Sequence, residues 1–150
     1  MHCAACSDAA TRAYAFHGAI GLRFSRRFLA GAETFAFLDV MRGEADRIAR
    51  GSYVIGRLYR SDASRLYLQG GAGVASFRVH DHDVSFITRS PSALLSTGYD
   101  WHVQGVTVTP SFTAVASTGG RLTSDRTNNP IADDARLAML RASVALSWFR

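Results

Sequence analysis

The stretch Gly105–Ser117 reads Gly-Val-Thr-Val-Thr-Pro-Ser-Phe-Thr-Ala-Val-Ala-Ser. Its even-numbered positions are mainly apolar: Val106, Val108, Phe112, Ala114 and Ala116. Its odd-numbered positions carry mainly hydroxyl side chains: Thr107, Thr109, Ser111, Thr113 and Ser117. Because successive side chains of a β-strand point to opposite faces, this alternation predicts a strand with one apolar and one polar face.

The same alternation recurs along nearly the whole chain. It is found in six further runs: Tyr14–Phe24, Arg27–Met41, about Ile48–Arg60, Arg65–Val79, about Ala93–Val103 and Ala135–Arg150. In Arg27–Met41 a helix is the alternative, because alanine, glutamate and leucine are good helix formers, but the position of this run between two strands favours a strand. Seven consecutive strands predict an all-β protein, an antiparallel up-and-down meander that forms a barrel.

The connections between the predicted strands alternate between short and long. The short ones are Ser25-Arg26, Ser61–Ser64 and about His102–Gly105, and the long ones are Arg42–Arg47, His80–Ser92 and Thr118–Asp134. In a meander, this alternation places all short turns at one end of the barrel and all long loops at the other. The predicted strands, of about 11 to 16 residues, exceed the usual length in soluble sheets and are long enough to cross a bilayer. Both features are typical of an outer-membrane barrel.

The polar side chains of the predicted strands share the face opposite the aliphatic ones. They include Glu33, Asp39, Gln69, Thr107, Thr109, Ser111, Arg141, Ser143 and Ser147. A soluble barrel would place its apolar face inside, and the period of two cannot separate the two arrangements. Strand length and loop lengths favour a polar interior. In the last strand we therefore expect Leu140, Val144, Leu146 and Trp148 to face lipid, and Arg141, Ser143 and Ser147 to face the interior.

Aromatic residues cluster near the ends of the predicted strands. They are Tyr59, Tyr67, Tyr99, Trp101, Trp148 and Phe149. We interpret them as girdles at the two membrane interfaces. The alternative is that they form part of the core of a soluble sheet.

Composition limits the class of protein further. The chain has 150 residues, of which 47% are hydrophobic and 19% charged, with a net charge of +5. This is enough for one domain with a core, and no run approaches the roughly 18 apolar residues of a membrane-spanning helix. Every basic residue is an arginine, and the arginines are scattered, with only Arg26 and Arg27 adjacent. We therefore predict no nucleic-acid partner.

The N-terminal residues carry the only cysteines, Cys3 and Cys6. A single CxxC supplies two zinc ligands where four are usual, and a redox CxxC would open a helix beside a strand. A local disulfide in a loop of an exported protein is the interpretation we favour. Since Met1 is followed by His2 and Cys3 rather than by a basic and then an apolar run, we expect no signal peptide.

Two further motifs could be binding sites, but each can also be explained as part of a strand or a loop. Gly70-Gly71-Ala72-Gly73 could suggest a phosphate loop, but the strand pattern continues through Val79 instead of opening a helix. His80-Asp81-His82-Asp83 could ligate a divalent ion on an extended backbone, but a fixed fourth ligand is missing, and we favour a solvated polar loop between the fourth and fifth strands. No Gly-x-Ser-x-Gly elbow is present. We predict no catalytic, cofactor-binding or metal-binding residues and no enzyme activity.

Four parts of the chain resemble a known family. These are Gly21–Ser25 with Phe28–Glu33, Leu66–Val74, Gly98–Trp101 with Val106–Pro110, and Ala142–Phe149. They look like a strand-turn-strand, the central glycine-rich strand, the penultimate hairpin and the aromatic-ended final strand of small bacterial outer-membrane β-barrel proteins of the OmpA/OmpX type. The resemblance covers nearly the whole chain. It departs from the family at Arg150, because the commonest ending is an aromatic residue.

The resemblance implies an eight-stranded barrel in the outer membrane of a Gram-negative bacterium. Since seven strands are found, we expect the chain to be N-terminally incomplete, with residues 1–11 as a loop remnant that carries the cysteine pair and residues 12–150 as the barrel domain. The implied partners are outer-membrane lipid and, through the final strand, the barrel assembly machinery, and the protein is expected to be a monomer. The expected role is structural, adhesive or surface interaction, without a wide pore. The alternative is a soluble lipocalin-like barrel that carries a small apolar ligand.

Overall fold

The computed structural model describes residues 12–40, 46–81, 84–124 and 130–148, and all regular structure in these ranges is β-strand. The strands are β1 (Arg12–Arg23), β2 (Phe28–Val40), β3 (Asp46–Tyr59), β4 (Leu66–Asp81), β5 (Val84–Tyr99), β6 (Trp101–Val103), β7 (Val106–Ser117), β8 (Gly120–Ser124), β9 (Pro130–Ala135) and β10 (Ala138–Trp148). The all-β prediction is confirmed. In the part of the chain that the structure describes, no helix is long and apolar enough to cross a membrane.

The strands form one antiparallel sheet in the order β1-β2-β3-β4-β5-β7-β10. The short strands extend longer ones: β6 continues β5 beyond Asp100, β8 continues β7, and β9 leads into β10. The described segments therefore amount to seven long strands, which follow the predicted up-and-down meander and curl almost into a barrel. Both edge strands, β1 and β10, run in the same direction, and no hydrogen-bonded register joins them within the described ranges. An eighth strand stays a prediction.

Two of the predicted long loops are wrong. The expected loop His80–Ser92 is mostly strand, because β4 continues to Asp81 and β5 begins at Val84. The expected loop Thr118–Asp134 contains β8 and β9. The third, Arg42–Arg47, falls largely on residues outside the described ranges, and β3 begins at Asp46. Loop length therefore does not separate the two ends of this barrel as strictly as the sequence indicated.

Pro91 explains why the beginning of β5 looked like a loop. A proline inside a sheet removes one ladder hydrogen bond, so it normally argues against a strand. Here the carbonyl of Pro91 accepts a hydrogen bond from the Thr118 amide at 3.1 Å, where the neighbouring strand is interrupted between β7 and β8. Along the edge of β5 that faces Thr118, the residues before Pro91 pair with β8 and those after it pair with β7. The missing proline donor thus falls at a point where the ladder is already broken.

The turns at the other end are short, as predicted. They comprise residues 24–27, 60–65 and 104–105. Gln104 and Gly105 both have positive φ, at 48° and 84°. This is the backbone conformation of a two-residue hairpin turn whose twist matches the flanking strands. We refer to this end of the barrel as the turn end and to the opposite one as the loop end.

An apolar cluster fills part of the barrel interior. It consists of Phe35, Tyr53, Ile55, Leu94 and Val115, with Met139 packed against it. The rings of Phe35 and Tyr53 are stacked, with centroids 6.0 Å apart. Gly51 makes room for them, because a Cβ atom at this position would lie 2.5 Å from Phe35 Cε1 and 2.6 Å from Tyr53 Cε2. Glycine is therefore required by close packing on the inward face of β3.

This packing predicts that Gly51→Ala destabilises the fold. We expect a loss of about 1–3 kcal/mol, the usual effect of forcing an extra carbon into a packed interior. The matched control is Gly70→Ala on β4, because a Cβ at Gly70 meets no atom within 4 Å. Urea unfolding of both variants and the wild type measures the difference. Equal stability of the two variants would show that the interior is looser than described.

Candidate functional site

The outer surface of the barrel is apolar. Exposed large apolar side chains occur on all seven long strands, among them Ile20, Val54, Leu68, Leu95, Phe112 and Leu140. The buried polar side chains include Glu33, Gln69, Asp100, Thr109 and Thr113, each 5% exposed or less. The barrel therefore has the reverse of the polarity that a soluble sheet presents to water.

The alternation of outward and inward side chains predicted for the last strand is confirmed where its side chains are described, whereas contact with lipid stays a prediction. Leu140, Val144 and Leu146 are 71%, 69% and 59% exposed. Arg141 lies on the opposite face, and its side chain is only 10% exposed. Ser143 and Ser147 are half-buried on the same inward face. The side chains of Trp148 and of Asp39, a further residue predicted to face inward, lie outside the described residues.

Glu33 on β2 is the centre of an interior network of polar side chains. Its Oε1 atom lies 2.7 Å from Arg141 Nη2 of β10 and 3.0 Å from His17 Nε2 of β1. Its Oε2 atom accepts a hydrogen bond of 2.6 Å from Gln69 Nε2 of β4. A carboxylate removed from water is stable only with such partners. Glu33 thereby links the strands at both edges of the sheet.

Asp100 is a second centre nearer the turn end. Its Oδ2 atom accepts a 2.6 Å hydrogen bond from the Tyr59 hydroxyl, and its Oδ1 atom accepts one of 2.8 Å from Thr109 Oγ1. Arg57 Nη1 lies 3.8 Å from the same Oδ1 atom. Arg57 also stacks over the Tyr67 ring, 3.9 Å from its centroid. Asp100 lies between β5 and β6, where it interrupts their long strand, and its carboxylate points inward to these donors.

Gln69 and Arg57 connect the two centres. Arg57 Nε donates a 3.0 Å hydrogen bond to Gln69 Oε1, and Gln69 donates in turn to Glu33. The resulting polar network has members on all seven long strands, from His17 on β1 to Arg141 on β10. Each carboxylate in it faces one arginine, so the pairs balance in charge. The arrangement is suited to holding strands together around a filled interior.

The aromatic residues predicted to form girdles face outward only in part. Tyr99 and Trp101 face outward and are 42% and 59% exposed. Tyr59 and Tyr67, in contrast, are buried in the interior, so their assignment to the girdle was wrong. Tyr67 has the same odd-numbered position on β4 as Gln69, which was expected to face inward. The period of two could therefore have placed Tyr67 correctly, whereas its closeness to a strand end misled.

The remaining sequence motifs are the histidine-aspartate run, the cysteine pair and the glycine-rich run. His80 and Asp81 form the end of β4, where their backbones pair with Ser85 and Val84. His82, Asp83, Cys3 and Cys6 lie outside the described residues, so their metal-binding and disulfide hypotheses stay predictions. In the ranges that the structure describes, no group of three or more potential metal ligands is found. Gly70, Gly71 and Gly73 lie within β4, as the strand interpretation predicted.

Comparison with known proteins gives no match for this chain, whether with protein-family models, with curated proteins or with solved structures. The function must therefore be argued from the barrel itself.

The buried pair at Glu33 predicts a large effect of removing one partner. Glu33→Ala leaves the Arg141 guanidinium in the interior without its carboxylate, and we expect a loss of about 3–5 kcal/mol in the free energy of unfolding. Replacing both partners, as Glu33→Leu with Arg141→Met, should restore most of this loss because neither charge of this pair is left buried without its partner. Urea unfolding of the wild type and both variants tests this. A double variant as unstable as Glu33→Ala would contradict the assignment.

Proposed function

We propose that this chain is an outer-membrane β-barrel protein, with a structural or surface-interaction role and no wide pore. The observation that carries the proposal is the reversed polarity of the barrel, with Glu33, Gln69 and Asp100 buried inside and large apolar side chains outside. In water, soluble proteins rarely expose contiguous apolar patches of more than a few hundred Å². In a bilayer the same surface is favourable, because lipid chains cover it.

The length of the uncharged outer surface supports this proposal. On β4, no charged side chain faces outward from Leu66 to Ser76, and on β5 and β6 none does so from Pro91 to Val103. Each segment has at least the 9 to 11 residues that a tilted strand needs to cross the hydrocarbon core. Tyr99 and Trp101 lie towards the turn end of this surface, where an interfacial girdle is expected.

The contents of the interior support a barrel without a wide pore. Tyr53, Tyr59, Tyr67, Gln69 and Glu33 are all buried there and bonded to neighbours. A small barrel of this kind has an interior that side chains fill. A lipocalin-like carrier, the alternative, would need an apolar interior for its ligand and a polar exterior. Both requirements run against the observed distribution of polarity.

The proposal predicts folding into lipid. The urea-unfolded chain, diluted into phosphatidylcholine vesicles, should float with them in a density gradient and migrate as a compact, heat-modifiable band on a gel without boiling. Diluted into buffer alone, it should aggregate, because its apolar exterior stays in contact with water. A folded monomer in buffer that does not float with vesicles would support the lipocalin-like carrier instead.

A charged side chain on the outer surface should lower the free energy of unfolding more, the deeper it lies in the bilayer. Val144→Arg, in the middle of β10, should lower the free energy of unfolding in vesicles by about 2–4 kcal/mol. The matched control is Val103→Arg, because Val103 also faces outward but adjoins the turn at Gln104, and we expect about 0–1 kcal/mol there. Urea titration in vesicles measures both. Equal losses at the two positions would contradict a bilayer around the barrel.

A further inference from the structure

The outer surface carries charge in one region. Among the strand residues whose side chains the structure describes, the outward-facing charged ones are Arg50 on β3, Arg78 on β4, Arg89 on β5 and Arg121 on β8. All are exposed, and all lie towards the loop end of their strands. We call these four residues the arginine patch.

Strand register brings the members of the patch together. Arg50 lies opposite Ser76, Ser76 lies opposite Arg89, and Arg89 lies opposite Arg121. Arg78, two residues from Ser76, is flanked by Ile48 and Ile87 on the neighbouring strands. A concavity of about 130 Å³ opens between these side chains, lined by Ile48, Arg50, Ser76, Arg78, Ile87 and Arg89. Three guanidinium groups thus surround one small depression with an apolar and hydroxyl floor.

Within the described residues, the patch does not continue along the register into β2 and β1. Along the register from Arg50 into β2 and β1, the outward-facing residues are Ala36 and Phe16. Towards the turn end, the uncharged surface begins directly with Ser52, Val74 and Pro91. Among the strand side chains that the structure describes, the patch is therefore a local site at the border of the apolar surface.

Arg50 and Arg89 favour a bound anion in this depression. Like charges directly opposite each other in a sheet are destabilising, and Arg89 faces Arg121 in this way. Arg50 and Arg89 form no ion pair with any residue in the described ranges. A guanidinium group binds phosphate through two parallel hydrogen bonds, and several arginines around one depression can bind more than one phosphate oxygen or group.

We propose that the arginine patch binds the phosphate groups of an anionic lipid that carries more than one phosphate, in the leaflet at the loop end of the barrel. Arg50, Arg78 and Arg89 contact the phosphates, and Ile48 and Ile87 contact the apolar part of the lipid next to its headgroup. This proposal rests on the proposed membrane function, because only a bilayer around the apolar surface brings lipid headgroups to this height.

The test uses lipid A, a glycolipid with two phosphates, as the probe. Native mass spectrometry of the detergent-solubilised, folded chain, titrated with lipid A, gives the number of bound molecules and their affinity. Arg50→Gln with Arg89→Gln should weaken lipid A binding at least tenfold. The matched control is Arg60→Gln with Arg65→Gln, because these arginines are also exposed but lie in a turn at the opposite end, and it should stay within twofold of the wild type.

Further arms of the titration separate the sources of phosphate. Phosphatidylglycerol, with one phosphate, should bind more weakly than lipid A, and millimolar inorganic phosphate should not displace lipid A. Displacement by inorganic phosphate, or equal affinities in the two double variants, overturns the proposal. Folding of every variant is verified beforehand by the heat-modifiable band in phosphatidylcholine vesicles. If the Arg50→Gln, Arg89→Gln variant folds normally and binds lipid A as the wild type does, the patch proposal alone is disproved. If the wild type does not enter any bilayer, the membrane function and the patch proposal are disproved together.

Discussion

The ion pair between Glu33 and Arg141 joins the second strand of the sheet to the last one across the barrel interior. β1 and β10 share no hydrogen-bonded register in the described ranges, and side chains connect the two margins of the sheet there. Glu33 does so by binding Arg141 on one side and His17 on the other. The hydrogen bond from Gln69 extends this connection towards Arg57 and Asp100. One carboxylate therefore connects the two margins of the sheet through its side-chain partners.

Most of the fold could be predicted from the period of two in the sequence. It gave the seven strands, the meander and the facing of residues such as Leu140, Gln69 and Arg141. It did not give the beginning of β5, because Pro91 and the serines around it are poor strand formers and only the interruption of the neighbouring strand at Thr118 makes the proline acceptable.

For the interior network, the sequence predicts which residues face inward but not which of them contact each other. The pattern places Glu33, Gln69 and Arg141 on one face, but their pairing depends on how far each strand is shifted along its neighbour. A shift by one residue would turn every side chain to the other face. Tyr67 shows a second limit, because its position near a strand end suggested an outward girdle. In the structure its ring lies inside the barrel against Gly98. Only glycine leaves room for the ring there, since a Cβ at Gly98 would collide with it. The arginine patch was not predicted at all, since its members are far apart in the sequence and meet only through the register.

Glu33 and Arg141 lie 108 positions apart in the chain, and this distance has a consequence for the way in which the protein is made. The two charges cannot neutralise each other until the final strand has been synthesised and brought back beside the first ones, and closing so long a segment is slow. Before that moment each charge must keep its hydration shell, since an isolated ion in hydrocarbon is prohibitively unstable. On the proposed membrane function, the assembling sheet therefore encloses water around these two charges until they meet.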